Sequence, residues 1–257
     1  MKYGIANISI VPMRVEACDR AEMVNQILFG EAYKVLELRA KWIKVRLSHD
    51  FYEGWICIKQ FSEIDQEVYN QVSVETSYYN YNLIDALSTE DGDIIPIGLG
   101  STLPFYDGEH CLINDTIFLF DGAHKPCEKH SKKDIVNTAF MYLHAPYLWG
   151  GRTPMGIDCS GLTQMAYRLN GRGIPRDASQ QIELGNTLSF IEEAEPGDLA
   201  FFDDSEGNIV HVGIILENNQ ILHASGKVRI DSIDQQGIFN KELGEHTHKL
   251  RLIKQVF

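Results

Sequence analysis

The chain has 257 residues, of which 44% are hydrophobic, 23% charged and 10% aromatic, enough apolar mass for a packed core and too much for a disordered or low-complexity chain. Its 23 Lys and Arg face 36 Asp and Glu, a formal charge of −13 that repels phosphate backbones and anionic lipid. A nucleic-acid or membrane-surface partner is therefore disfavoured, and a cationic or amine-bearing ligand fits better.

The first residues, Met1 to Arg14, are broken by Asn7, Ser9 and Pro12 before the ~7–15-residue apolar stretch of an export signal can form. No run approaches the ~18 apolar residues of a membrane helix, so no membrane insertion is expected. The five cysteines (Cys18, Cys57, Cys111, Cys127 and Cys159) are odd in number and scattered. That pattern predicts free thiols and a reducing cytoplasm, with export the alternative if a leader once preceded Met1.

From Ile10 to about Phe61, near-alternating runs predict short strands at Tyr33–Leu38, Trp42–Leu47 and Glu53–Ile56, with Gly30 and Gly54 at corners. A second β-rich stretch follows to Lys125, with strands expected at Gln71–Val74, Asp93–Leu99 and Thr116–Leu119. Each stretch is small for an independent core and is expected to lean on a larger neighbour. After Pro126 the pattern becomes mixed. Apolar spacing predicts helices over Lys132–Leu143, with Ser131 as N-cap, and over Asp158–Leu169. Strands are then expected at Leu199–Phe202, Ile209–Leu216, Ile221–Ala224 and, weakly, Lys249–Val256.

Chemistry concentrates in this last part. Cys159 falls at the start of a helix, where unpaired N–H groups and the helix dipole favour thiolate. His211 and His223 lie in two strands separated by Glu217–Gln220. An odd loop puts both on one face, and a two-residue Asn218-Asn219 turn puts them on opposite faces. On one face, His211 can serve as base to Cys159 while His223 fixes its ring.

Five segments in order carry a resemblance: Pro146-Tyr147-Leu148-Trp149-Gly150-Gly151, Asp158-Cys159-Ser160-Gly161-Leu162, Pro196-Gly197-Asp198-Leu199-Ala200-Phe201-Phe202, His211-Val212-Gly213-Ile214 and Leu222-His223-Ala224. Together they resemble the NlpC/P60 cysteine peptidases over about residues 131–257. The N-terminal half is similar to the paired bacterial SH3 modules of murein-peptide endopeptidases. The resemblance implies an α+β chain: SH3-like barrels at 1–61 and 62–125, then a papain-like catalytic domain at 126–257, with a Cys-bearing helix packed on a His-bearing antiparallel sheet. It makes Cys159 the nucleophile, His211 the base, His223 the polar third residue and Tyr147 an oxyanion donor. It implies no metal or organic cofactor.

The implied substrate is a short murein tri- or tetrapeptide with a free N-terminal L-Ala, cut after γ-linked D-Glu and before meso-diaminopimelate or Lys, in cytosolic recycling. Asp177 matches the acid that holds the Ala ammonium, although Ala178 departs from the Ser often found next to it. Asp158, Ser160 and Trp149 would line the same pocket. Tyr52 would reach over it from the first barrel, and Glu22 or Glu31 would add acid toward the amine, excluding intact wall. Two other readings stay open: an exported peptidoglycan hydrolase or amidase acting on intact wall, and a non-catalytic wall-peptide-binding protein. Three further features have plainer readings. His124, Cys127 and His130, with Cys111 upstream, read as a linker rather than zinc ligands. His246 and His248 read as solvated, and Gly171-Arg172-Gly173 as the end of the Cys159 helix. Arg152 and Arg176 are left between a substrate carboxylate and surface acids.

Overall fold

The computed structural model describes residues 1–74 and 78–257, with the backbone alone at Val74. The chain divides into two compact units. One comprises residues 1–128 and 149–154, the other 129–148 and 155–257.

In the first unit a seven-stranded antiparallel sheet runs in the order Met23–Leu28, Ile10–Arg14, Glu53–Cys57, Trp42–Leu47, Ala32–Leu38, Tyr3–Ile5, Glu63–Ile64. Alternation does what the sequence predicts: Ile43, Val45 and Leu47 point inward with Val11, Met13, Ile27 and Ile56, while Lys44 and Arg46 stay outside. Each such side chain contributes about 1.5–3 kcal/mol on burial. Two smaller sheets follow, of four and three strands, between Tyr78 and Pro126. Their core is shared with the first sheet. Tyr3, Ile5 and Phe29 form one cluster with Leu87, Ile97, Leu103, Phe118 and Phe120.

One expected strand is a helix. Gln71–Val74 closes the helix Gln66–Val74, because Val68, Tyr69 and Val72 recur at helical spacing and pack on that shared cluster. A four-residue window shows alternation there only because it omits the preceding turn.

The second unit carries two ten-residue helices, α1 (Lys132–Met141) and α2 (Cys159–Arg168). Ser131 closes a capping box with Asp134 at the start of α1. Six strands follow: β1 (Leu199–Asp203), β2 (Ile209–Leu216), β3 (Gln220–Ser225), β4 (Lys227–Ile233), β5 (Gly237–Asn240) and β6 (Glu245–Gln255). Consecutive strands pair antiparallel and β6 also pairs with β1, so the sheet closes into a barrel. Beyond β6 lies the short strand Asn186–Leu188. Helix α2 is buried along its whole length. Its Tyr167 hydroxyl donates to the Gly197 carbonyl at 2.6 Å. Asp198 is fully buried, with Lys132 Nζ 2.7 Å away, and ties α1 to the start of β1. No described helix is long and apolar enough to cross a membrane.

Candidate active site

Helix α2 begins with the sequence Asp158-Cys159-Ser160-Gly161, and each polar side chain there has an assigned task. Asp158 is the N-cap and accepts from the Gly161 N–H at 2.7 Å. Arg176 grips the same carboxylate with both nitrogens, at 2.9 and 2.6 Å, and also donates to Ser160 Oγ at 2.8 Å. Arg176 is thereby a buried clamp on the helix start. Asp158 and Ser160, expected to line a substrate pocket, are themselves only 4% and 7% exposed. Gln181 adds a brace, accepting from the Thr163 hydroxyl at 2.7 Å and donating to the Ser160 and Pro175 carbonyls.

The Cys159 sulfur receives hydrogen bonds from the backbone of Val212 and of Ser160. Val212 follows His211 on β2, so the sulfur lies against the strand that carries the histidine. The thiol does not behave as its helix position alone suggests. Burial pushes it up to about 12, the Asp158 carboxylate adds to the rise, and the two backbone donors and Arg176 offset only part of it. The expected thiolate is thus corrected to a neutral resting thiol, because desolvation outweighs the helix dipole at 5% exposure.

The loop between β2 and β3 has three residues, Glu217 to Asn219, with Leu216 opposite Gln220 and positive φ at Asn218 and Asn219. The odd length puts His211 and His223 on one face. His211 Nε2 lies 2.8 Å from His223 Nδ1, and His223 Nε2 lies 3.0 Å from Asp231 Oδ2 on β4. Burial, then the neighbouring His223 and His248, holds His211 well below the usual histidine range, so its ring is neutral at physiological pH.

Gly213 faces His223 across the β2–β3 pair. A Cβ there would sit 2.7 Å from the Ile221 side chain and 3.0 Å from His223 Cβ. Gly213→Val is expected to displace His223 from His211 and lower turnover by about 10²-fold, as a 1 Å misplacement does. The comparison is of kcat in variant and parent, with circular dichroism confirming the fold; unchanged kcat would remove the packing argument.

Tyr147 is half-buried and adjoins the same centre. Burial pushes its phenol up to about 12, the Cys159 and Asp158 charges add to the rise, and Arg176 opposes it. It is a neutral O–H donor over the working pH range. Asp177 stands at the N-cap position of the one-turn helix Ala178–Gln181; its backbone carbonyl accepts from the Gln180 and Gln181 N–H groups, while its side chain does not cap the helix.

His248 corrects another expectation. Rather than standing in solvent, its ring stacks on His211 with centroids 4.2 Å apart and 28° between planes, and burial lowers its pKa to about 4. A shift in pairing register between Ile238 and Phe239 separates it from His246, which instead meets Asp234 at 3.0 Å. Sequence reasoning also missed Asp231. The strand carrying it, β4, alternates from Lys227 to Asp231 but lies outside the strands expected above.

Tyr52, Glu22 and Trp149 belong to the first unit. Tyr52 packs half-buried on the barrel core, its N–H donating to Asp50 Oδ1 at 3.0 Å. Glu22 accepts from the Trp149 indole N–H. Glu31 is committed elsewhere than to a substrate amine: it forms a fork-to-fork pair with Arg152 at 2.9 and 3.0 Å, both side chains fully buried. Gly150 has φ of +75°, and a Cβ there would meet the Met23 carbonyl oxygen at 2.5 Å. Cys111 lies in the apolar core, and Cys127 Sγ accepts from the Tyr79 hydroxyl. Among the described residues, no three His, Cys, Asp or Glu converge as metal ligands.

With this geometry in hand, residues 144–247 match the NlpC/P60 family and residues 13–61 match the bacterial dipeptidyl-peptidase Sh3 domain. The chain is 31% identical over 245 residues to dipeptidyl-peptidase 6 of Lysinibacillus sphaericus, covering 84% of this chain and 86% of that one. It is 28% identical over 249 residues to the gamma-D-glutamyl-L-lysine dipeptidyl-peptidase of Bacillus subtilis, covering 90% and 82%. The fold superposes on the crystal structure of an NlpC/P60 family protein from Bacillus cereus with a TM-score of 0.83, 20% identity and 99% coverage of both chains. An α+β chain with an SH3-like N-terminal domain, a capped helix presenting a cysteine and a closed barrel presenting two histidines thus belongs to the NlpC/P60 family of cysteine peptidases.

Proposed function

We propose that this peptidase cuts short murein peptides bearing a free N-terminal L-Ala, between γ-linked D-Glu and the diamino acid that follows, L-Lys or meso-diaminopimelate. Relatives named for gamma-D-glutamyl-L-lysine dipeptidyl-peptidase activity, similar over nearly the whole chain, support the substrate class. The observation that carries the reading is the Cys159 sulfur, bonded to the backbone of Val212 beside a buried, neutral His211.

In the proposed reaction the Cys159 sulfur attacks the γ-carbonyl carbon of D-Glu as its proton passes to His211. The Tyr147 hydroxyl donates to the developing oxyanion. His211 then hands that proton to the amine of the departing diamino acid, leaving a thioester on Cys159. Water, deprotonated by His211, attacks the thioester; the acid is released and the thiol re-formed. Asp177 is the acid assigned to the L-Ala ammonium, through a charge-assisted hydrogen bond.

We place this activity in the cytosol, in recycling of wall-derived peptides. All five cysteines are free thiols, which suits a reducing compartment.

A mass-spectrometric digest tests the reading. L-Ala-γ-D-Glu-L-Lys and its diaminopimelate counterpart are each offered with a free and with an N-acetylated amine, beside Cys159→Ala. Cleavage of free-amine peptides alone, lost in Cys159→Ala, is expected. Equal cleavage of acetylated peptide would remove ammonium recognition, and activity surviving in Cys159→Ala would remove the nucleophile.

A further inference from the structure

Asp231 is a buried acid that touches none of the reacting atoms, yet it ends a chain of hydrogen bonds that leads to them. The β3–β4 register sets His223 opposite Arg229 and Ile221 opposite Asp231, so the side chains of 223, 229 and 231 share one face of the barrel wall. Arg229 holds the carboxylate with Nε 2.7 Å from Oδ2 and Nη2 3.0 Å from Oδ1. Glu242 meets the far side of the same guanidinium at 3.1 Å. Burial works to raise the Asp231 pKa, but hydrogen bonds from His223 and Arg229 outweigh it and hold the group below the usual carboxylate range.

An ionised carboxylate can only accept. The 3.0 Å contact with His223 therefore requires the proton of that ring on Nε2. A neutral His223 then offers a lone pair at Nδ1. Across 2.8 Å from it stands His211 Nε2, which must in turn be the N–H. That leaves Nδ1 of His211 bare. Reversing the chain would protonate Nδ1 of both rings; the hydrogen bond between the rings would survive with its direction reversed, but a lone pair of His223 Nε2 would face the carboxylate, a repulsive contact in place of a charge-assisted hydrogen bond.

We infer that Asp231 is a positioning residue that sets the tautomers of both histidines, leaving His211 Nδ1 as the nitrogen that takes the Cys159 proton. The inference rests on His211 being the base. The other groups facing this pair do not supply the same instruction. Phe202 on β1 has no proton to give, and His248 on β6 meets the His211 ring face to face. Arg229 acts on the histidines through Asp231.

Two measurements on the full chain test it. Nitrogen-15 NMR of the imidazoles at pH 7.5 is expected to show N–H at Nε2 of both His211 and His223 in the unaltered protein. A proton on His211 Nδ1, or a doubly protonated His223, overturns the inference. In Asp231→Asn, kcat is expected to fall about 10–10²-fold, in the range of a weakened general base, with KM within about threefold of the parent, and Asp231→Glu is expected to restore part of the loss. An unchanged kcat, or a loss confined to KM, overturns it as well. Should Asp231→Asn fail to fold, the spectrum of the parent decides. Hydrolysis surviving in Cys159→Ala or His211→Ala would instead strike at the proposed function, and the tautomers would still be read independently.

Discussion

Glu31→Gln is expected to remove about 3–5 kcal/mol of folding stability, the cost of leaving one buried charge without its partner. Arg152 has no exposed surface, and its guanidinium is held by both Glu31 oxygens and by the Gln26 carbonyl at 2.8 Å. Glutamine keeps an oxygen for the Leu28 N–H, which Glu31 accepts at 3.0 Å, but cannot neutralise the arginine. Asp50 stands near the same charge: burial would raise its pKa, and His49 and Arg152 overcome that and keep it far below the carboxylate range. Adding Arg152→Met to Glu31→Gln should recover part of the loss, because the stranded guanidinium disappears while Asp50 loses the Arg152 charge and keeps that of His49. Urea unfolding of the parent, the single and the double variant measures this. A single variant within about 1 kcal/mol of the parent, the range of an exposed pair, would show that the buried pair is not what holds this part of the first unit together.

The second large effect concerns protons. His211→Ala is expected to lower kcat by about 10⁴-fold, as loss of a triad member does, with KM little changed. Burial raises the Cys159 thiol above its ordinary range, so it rests protonated at pH 7 and attack depends on proton removal by a base. The pH dependence follows. His211 must be neutral, and its pKa lies well below 6.5, so the acid limb of kcat/KM should fall below pH 6.5. Because burial raises the thiol above its ordinary range, alkylation of Cys159 by iodoacetamide should accelerate steadily from pH 7 to 10. A resting thiolate–imidazolium pair predicts the opposite, fast alkylation that is flat from pH 5 to 8. Observing that plateau would overturn the neutral pair.

The site was legible from sequence where chemistry sits on regular structure. Cys159 follows an N-cap and opens an apolar helical stripe, and His211 lies in an eight-residue apolar strand whose observed bounds match those expected. The hairpin could be reduced to one question, the parity of the loop, and the three-residue turn answered it. What stayed hidden depended on distant pairing. Asp231 looks like any strand-edge acid until the β3–β4 register sets it beside His223. His248 looks solvated until a register shift turns it onto His211. Arg152 and Arg176 could not be told apart from surface cations, because nothing local announces that Glu31 lies 121 residues away from the first and that Asp158 caps the helix beside the second. The thiol failed differently: helix position was read correctly, but the opposing cost of burial is a property of the packed molecule.

Residues 149–154, which bring Arg152, are made after everything else in the first unit. During synthesis at roughly 5–20 residues per second, the first 128 residues leave the ribosome with Glu31 still unmatched. Until Arg152 follows, that carboxylate must stay hydrated or take up a proton, since an unpaired buried charge is costly. The barrel at the front of this protein is therefore not a transplantable module. Cut out at residue 128, it lacks the cation its interior was built around, and a domain boundary drawn between elements of secondary structure would pass straight through an ion pair.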